Sequence, residues 1–417
     1  MIRSGLFIVA CAALAAPAFA HHGPGTFELN KTVTFDSATL TKIELLNPHG
    51  WIYFDNKEAD GRITKHRCEM RSAHTLRRSG WTPDLFKVGA KMKVTASPDR
   101  ADVASCYLNT IEFENGNRMD RYGQYVKGKG GSVTEVRGQV NKPDVTRRAA
   151  RRPTGEPNIT GDWAPEQVVM ADPRGTGGGL VPLSRIGERG ATPPAPAPRA
   201  GGPPAGAPGA APAGGAAAAG AGRRAGGAGG AGRGGARQWR GAELTELGQQ
   251  DAAAFRNIED NPRMQCLTTS ILFDWTFDGP VNRITQNTDT IVIQYGQLGL
   301  KRTIYMNMKA HPARVTPSRA GHSIGRWEKD VLVVDTIGFL PGVLEAPTRH
   351  SDKLHVVERF SLDPQTNRLT RSYTAEDPVY LKGQGSGSDV VEVADAPYAP
   401  DNCKDQGRID YSKQVSK

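Results

Sequence analysis

Between residues 201 and 235 the chain reads GGPPAGAPGAAPAGGAAAAGAGRRAGGAGGAGRGG. No stretch constrains the fold more. Gly, Ala, Pro and Arg cannot bury enough apolar surface to offset the conformational entropy of ordering them, so a single continuous core is ruled out. The same composition extends over 187–241, which is predicted to be a disordered linker or insertion. Folded structure must lie on either side of it. Residues 21–122 and 242–417 carry alternating apolar patterns, and 123–157 form a basic connector. Residues 158–186 are grouped with the second module, because Gly161-Asp162-Trp163 reads as its first strand with the linker inserted behind it.

At the start, Arg3 gives a positive n-region and Leu6–Ala16 an apolar run too short to span a bilayer. Ala18-Phe19-Ala20 follows with the small-x-small pattern of a cleavage site, so 1–20 is read as a signal peptide and the mature chain as starting at His21. A lipobox reading at Ile8–Cys11 leaves too short an apolar stretch. No later segment has transmembrane character, so a periplasmic or secreted product is expected.

Removal of the signal takes Cys11 and leaves Cys68, Cys106, Cys266 and Cys403. An even count in an oxidising compartment, falling as two separated pairs, predicts Cys68–Cys106 and Cys266–Cys403 disulfides. There is no CxxC spacing to suggest a thiolate metal or redox site.

The formal charge is +10. From Gly123 to Pro153, eight Lys/Arg face Glu135 and Asp144; from Gly187 to Gly241, seven Arg face Glu188. Each stretch contributes +6, which leaves about −2 for everything else. Positive charge therefore sits on connectors, where contact with anionic polymers would be non-specific. Without aromatics interleaved among the basic residues, dedicated nucleic-acid binding is not indicated.

The first half reads as a small OB-like five-stranded barrel. KTVTFDSATLTKIELL, WIYFDN, ITKHRCEM, LFKVGAKMKVTAS and ASCYLNTIEFENG are its strands, and SAHTLRRSG is a short serine-capped helix between the third and fourth. The second half reads as an antiparallel up-and-down barrel or sandwich, lipocalin-like in layout. ELTELGQQDAAAFRN supplies a helix. CLTTSILFDW, NRITQNT, TIVIQYG, LKRTIYMN, SIGRW, DVLVVDTIGF, LHVVERFSL and RLTRSYTA read as strands, with turns at NT-DT, EKD and DPQTN.

Asn47-Pro48-His49-Gly50-Trp51-Ile52-Tyr53, Leu76–Trp81 and Val88-Gly89 resemble an uncharacterised family of secreted bacterial proteins that begin with His-His after the signal. That resemblance covers roughly 20–120. Gly321-His322-Ser323-Ile324-Gly325-Arg326-Trp327, Leu332–Thr336 and His355–Arg359 resemble a second uncharacterised exported module over roughly 158–400. Both imply export and a two-module layout; neither implies a chemistry.

Two groups of residues could carry chemistry. An N-terminal amine and the His21 ring can chelate copper, with His22 adjacent and His49, at a strand-entry turn, able to complete a nitrogen site. The plain alternative is a frayed terminus with a turn histidine. His66 and His74 read as a half-exposed strand residue and a helix-surface residue. The second group centres on GHSIGRW. His322 with Asp335 or Glu358 forms an acid/base candidate, and Arg326, Trp327, His350, His355 and Arg359 are candidate ligand contacts in a barrel mouth. Alternation puts His322, Ile324 and Arg326 on one face and Ser323, Gly325 and Trp327 on the other. The plain alternative is a solvated outer face in which Arg326 and Arg359 pair with Glu358 or Asp335. There is no nucleophile elbow, and the Gly-rich tract has no Walker lysine.

These features favour an exported binding or accessory protein for a small ligand or a periplasmic partner. A secreted enzyme using the second module and an envelope-tethering protein acting through the Arg-rich linker are the rivals.

Overall fold

Alternation in Val33–Glu44 makes β1 a half-buried strand, with Ala38 and Leu40 turned into the core. Register shifts at Phe35/Ala38 and Leu40/Lys42 bend it, so that it pairs with both β2 (Trp51–Lys57) and β4 (Lys91–Pro98). In the computed structural model the described residues are 27–47, 49–78, 81, 85–114, 116–121, 125–126, 145, 148–170, 180–182, 237–256, 259–401 and 403. The predicted signal peptide, His21 and His22, and the linker up to residue 236 lie outside them.

β3 (Ile63–Glu69) and β5 (Ser105–Phe113) complete the first barrel in the order β1-β2-β3-β5-β4. A closed ring with an odd number of strands cannot alternate direction throughout, and the one parallel contact is β3–β5. Cys68 and Cys106 are direct partners in that contact and are joined by a disulfide. Short β6 (Arg118–Asp120) and β7 (Tyr125–Val126) extend the sheet. Helix α1 (Ala73–Arg78) falls between β3 and β4 as expected, with the Ser72 hydroxyl accepting from the Thr75 amide. Leu76, Trp81 and Phe86 pack under it into the barrel core.

The second module opens with β8 (Gly161–Ala164), followed by the hairpin of β9 (Val168–Met170) and β10 (Leu180–Pro182). Beyond the linker come β11 (Gln238–Trp239), β12 (Ala242–Leu244) and helix α2 (Glu246–Ala254), capped by Thr245. Then follow β13 (Asn282–Gln286), β14 (Thr290–Gln294), β15 (Lys301–Tyr305), β16 (His322–Glu328) and β17 (Val331–Ile337). β18 (Gly342–Glu345) and β19 (Thr348–His350) form a side hairpin. β20 (His355–Asp363), β21 (Arg368–Glu376), β22 (Leu381–Lys382) and β23 (Gln384–Val393) end the series.

Nine of these close into a barrel in the order β13-β14-β15-β16-β17-β20-β21-β23-β8. β8 is hydrogen-bonded to β13 and β23, so Gly161–Ala164 belongs to this barrel and the chain leaves it before the linker. The odd count again forces one parallel contact, here β15–β16, so the layout departs from a strict up-and-down meander. Residues 306–321 make the crossover that this contact requires.

One expected strand is absent. CLTTSILFDW runs as successive turns and seals the barrel interior. Trp275 is fully buried, edge-on to Tyr295 and Phe360. The Arg371 guanidinium donates to the carbonyls of Ile271 and Leu272, and the Tyr295 hydroxyl donates to Ile271 as well. Inward side chains thus satisfy the backbone of this segment, and no ladder is needed.

α1 docks the first barrel on the second. Arg71 pairs with Asp278, and Thr75 Oγ1 donates to the Asp278 carbonyl at 3.0 Å. Arg78 reaches Asp395 at 2.8 Å and the carbonyls of Gly279 and Pro165. The tail crosses the same seam. Asp401 accepts from Asn47 Nδ2 at 2.7 Å and from the Leu298 amide, and the Cys266–Cys403 disulfide pins it. His74, expected on a helix surface, is buried here, with Nε2 3.6 Å from Asp401, because the tail covers that face of α1.

Candidate functional site

Parity along the strands sorts the candidate residues into two groups. On β16, Ser323 and Gly325 point inward, while His322, Ile324 and Arg326 point out. On β17, Leu332, Val334 and Thr336 are inside and Asp335 outside; on β20, Glu358 and Phe360 are inside and His355 and Arg359 outside. Asp335 and Glu358 therefore belong to different surfaces of the same wall.

The outward group forms a continuous row. Asp335 Oδ1 lies 3.1 Å from His355 Nε2 and 3.1 Å from His311 Nε2. His311 Nδ1 lies 2.8 Å from His322 Nδ1, and His355 Nδ1 lies 3.0 Å from Glu376 Oε1. Tyr305 on β15 stacks on His322 with ring centroids 5.1 Å apart. Hydrogen bonds from His355 and His311 hold the Asp335 carboxyl below the usual carboxylate range. Asp335 is then an acceptor only, so both histidines donate to it through Nε2. His355 also donates to Glu376. The bond to Asp335, joined by that to Glu376, raises its pKa to about 9, so it is an imidazolium at neutral pH. The His322 pKa is lowered, by burial first and then by the neighbouring His311. His311 and His322 share one hydrogen bond between their Nδ1 atoms, with the donor set by the tautomer.

The inward group is a closed ion network. Arg302 meets Glu358 at 2.5 Å and donates to Ser323 and Thr336. Arg371 meets Glu358 at 3.2 Å and Asp389 at 2.6 Å. Two arginines face two carboxylates, and Arg302, Arg371 and Glu358 are all fully buried. Of the acid/base pairs suggested by the sequence, His322–Glu358 is thus divided by the barrel wall, and His322 meets Asp335 only through His311.

The other expected contacts disperse. Arg326 and Arg359 both pair with Glu328, at 2.6 and 3.0 Å, on the solvent face, and not with Glu358 or Asp335. Trp327 packs against the core. His350 is buried beside Phe339 and donates from Nδ1 to the Ser351 carbonyl, away from the row. His66 lines a cleft of about 450 Å³ on the first barrel with Phe35, Asn56, Glu58 and Thr64.

His49 Nδ1 lies 3.0 Å from Glu69 Oε1. Burial works against its proton, but Glu69 outweighs burial and the pKa is raised. Glu69 is the strand partner of Tyr107, and Phe27 stacks on Tyr107 at 5.3 Å.

His311, Glu376 and Tyr305 were not singled out in the sequence. Carrying the outward parity of His355 across to RLTRSYTAE would have reached Glu376. His311 sits in the crossover, which has no period to follow.

Residues 9–106 match a family of unknown function (DUF6152). The match includes His49 and ends in β5, before any residue of the outward row. No curated protein matches the chain, and no solved structure does.

Proposed function

We propose that this chain is an exported binding or accessory protein of the periplasm, without catalysis of its own. In this reading it takes copper at its mature N-terminus through the His21 amine and ring, with His22 adjacent and His49 completing the nitrogen set. The observation that carries this is the path from Phe27 to His49. Phe27 lies on Tyr107, Tyr107 pairs with Glu69, and Glu69 holds His49. Neighbouring strands are about 4.8 Å apart, and the residues from His21 to Phe27 reach at most about 20 Å, so His49 falls within reach of the terminus. A carboxylate on one ring nitrogen is also the usual orienting partner of a metal-binding histidine.

Export is supported by two disulfides, and no helix among the described residues is long and apolar enough to cross a membrane. Binding is favoured over catalysis because Glu358, the candidate acid inside the second barrel, is neutralised by Arg302 and Arg371. The test is intact mass and copper(II) titration on the protein purified from the periplasm. The expected result is a chain starting at His21 with one tight copper, lost when the terminal amine is blocked and weakened at least tenfold by His49→Ala. A chain starting elsewhere, or copper binding indifferent to the block, overturns the proposal.

A further inference from the structure

We propose that the open end of the first barrel is a binding site for a small organic cation, an ammonium group on an apolar or aromatic body. The Glu58 carboxylate is its counter-charge, and Phe35 and His66 are its walls. Shape, charge and lining lead to the same occupant.

The two ends of this barrel are unlike. Where β3 stops and β4 starts, the connection through α1 sends Leu76, Trp81 and Phe86 into the core. At the opposite end β1, β3 and β5 start and β2 and β4 stop, and a cleft of about 450 Å³ opens there, with residues of all five strands in its lining. That volume is in the range of small-molecule sites. Val103, in the β4–β5 turn, stands on its rim 93% exposed, so its apolar surface is left uncovered.

Glu58 is the one carboxylate in this lining, and no Lys or Arg shares it. Thr64 Oγ1 donates to Glu58 Oε1 at 2.6 Å and Asn56 Nδ2 donates to it at 3.0 Å. These bonds, that from Thr64 first, hold the carboxyl below the usual carboxylate range. Both fall on Oε1, which orients the group and leaves Oε2 for a charge-assisted bond from a ligand. The flanking arginines are already matched, Arg62 with Asp60 and Arg67 with Asp102.

The walls suit a cation as well. Thr64 gives its one hydroxyl proton to Glu58, so its oxygen accepts from His66 Nε2 at 2.9 Å. Burial lowers the His66 pKa, so the ring is neutral at pH 7. Its Nδ1 then keeps a bare lone pair, buried and without a partner. Phe35 lies against His66 with ring centroids 4.4 Å apart, and the face of such a ring attracts positive charge. An anion would be repelled by Glu58, and a neutral body would leave its charge unanswered.

The test is isothermal titration calorimetry on the full mature chain with phenethylammonium as the probe. EDTA is present throughout, so the outcome does not depend on copper binding. 2-Phenylethanol and 3-phenylpropionate, of similar shape, are the neutral and anionic controls. The expected result is one saturable site, at least tenfold tighter for the ammonium than for the alcohol, with no binding of the carboxylate. Glu58→Gln should weaken the ammonium at least tenfold. Phe35→Leu, which keeps an apolar side chain but removes the ring face, should weaken it several-fold. Val103→Lys, at a position too exposed to disturb folding, should weaken it by placing positive charge on the rim. In an NMR titration the His66 ring protons should shift with saturation while those of His355, on the second barrel, stay in place. Absence of saturable phenethylammonium binding overturns the inference, and so does equal binding of the alcohol. Unchanged affinity in Glu58→Gln and Val103→Lys proteins that melt like the parent overturns it as well.

Discussion

Glu358 and Glu328 each face two arginines, yet water treats the two clusters differently. Glu358 is fully buried between Arg302 and Arg371, with no solvent to replace a lost partner. Glu358→Gln should cost about 3–5 kcal/mol, because it leaves buried guanidinium charge uncompensated. Glu328 meets Arg326 and Arg359 on the open face, where water replaces a lost partner, and Glu328→Gln should leave stability close to that of the parent. Urea denaturation of the two variants checks the contrast; equal losses would mean that the interior network is hydrated. His355 carries a different prediction. Its folded pKa of about 9 lies above the ordinary histidine value of 6.5, so its contribution is fully present below about pH 6.5 and fades as pH rises through about 9. Partial exposure keeps that contribution to about 1 kcal/mol or less. The ring should titrate near pH 9 by NMR and fall toward 6.5 in Asp335→Asn; an unmoved midpoint would place its stabilisation elsewhere.

Strand alternation was legible in the sequence because each barrel strand has one wet face and one dry one. β16, β20 and β21 alternate as their patterns suggest, and on β16 the alternation separated His322 from Ser323 without saying which face was outside. Closure was less legible, since the parallel contacts at β3–β5 and β15–β16 join strands whose own patterns do not name their neighbours. The segment before β13 misled for a stated reason. Its apolar residues have strand-like composition, but Arg371, Tyr295 and Asn282 satisfy its carbonyls from inside the barrel. That arrangement depends on residues far along the chain. It makes Trp275 the anchor of the segment, edge-on to Tyr295 and Phe360 and under Arg371. Trp275→Ala should cost about 3–5 kcal/mol by opening a cavity there, read by chemical denaturation with loss of the near-ultraviolet aromatic signal. A loss below about 1 kcal/mol would show that the barrel closes without this plug.

At the level of the whole molecule, the two barrels are held together by groups that neither barrel needs for its own sheet. α1 supplies Thr75 and Arg78 and the turn before it supplies Arg71 from one side, and Asp278, Gly279 and Asp395 receive them on the other. Asp401 bridges Asn47 of the first barrel and Leu298 of the second. Charge complementarity in this seam was invisible in the sequence, because its partners are hundreds of positions apart. What could be read was the cysteine pairing, and Cys266–Cys403 turns out to fasten the tail that carries Asp395 and Asp401. Losing this cross-link closes no gap in either core, but it releases the tail over a loop of 137 residues, for which the chain-entropy account gives about 2–5 kcal/mol. The loss should fall on the seam first. In a Cys266→Ser/Cys403→Ser protein, hydrogen exchange should speed up in α1 and in residues 395–401, while the Cys68–Cys106 barrel and strands β20 and β21 keep their protection. Uniform acceleration across both barrels would instead make the two modules a single cooperative unit, with the tail stabilising the cores and not their docking.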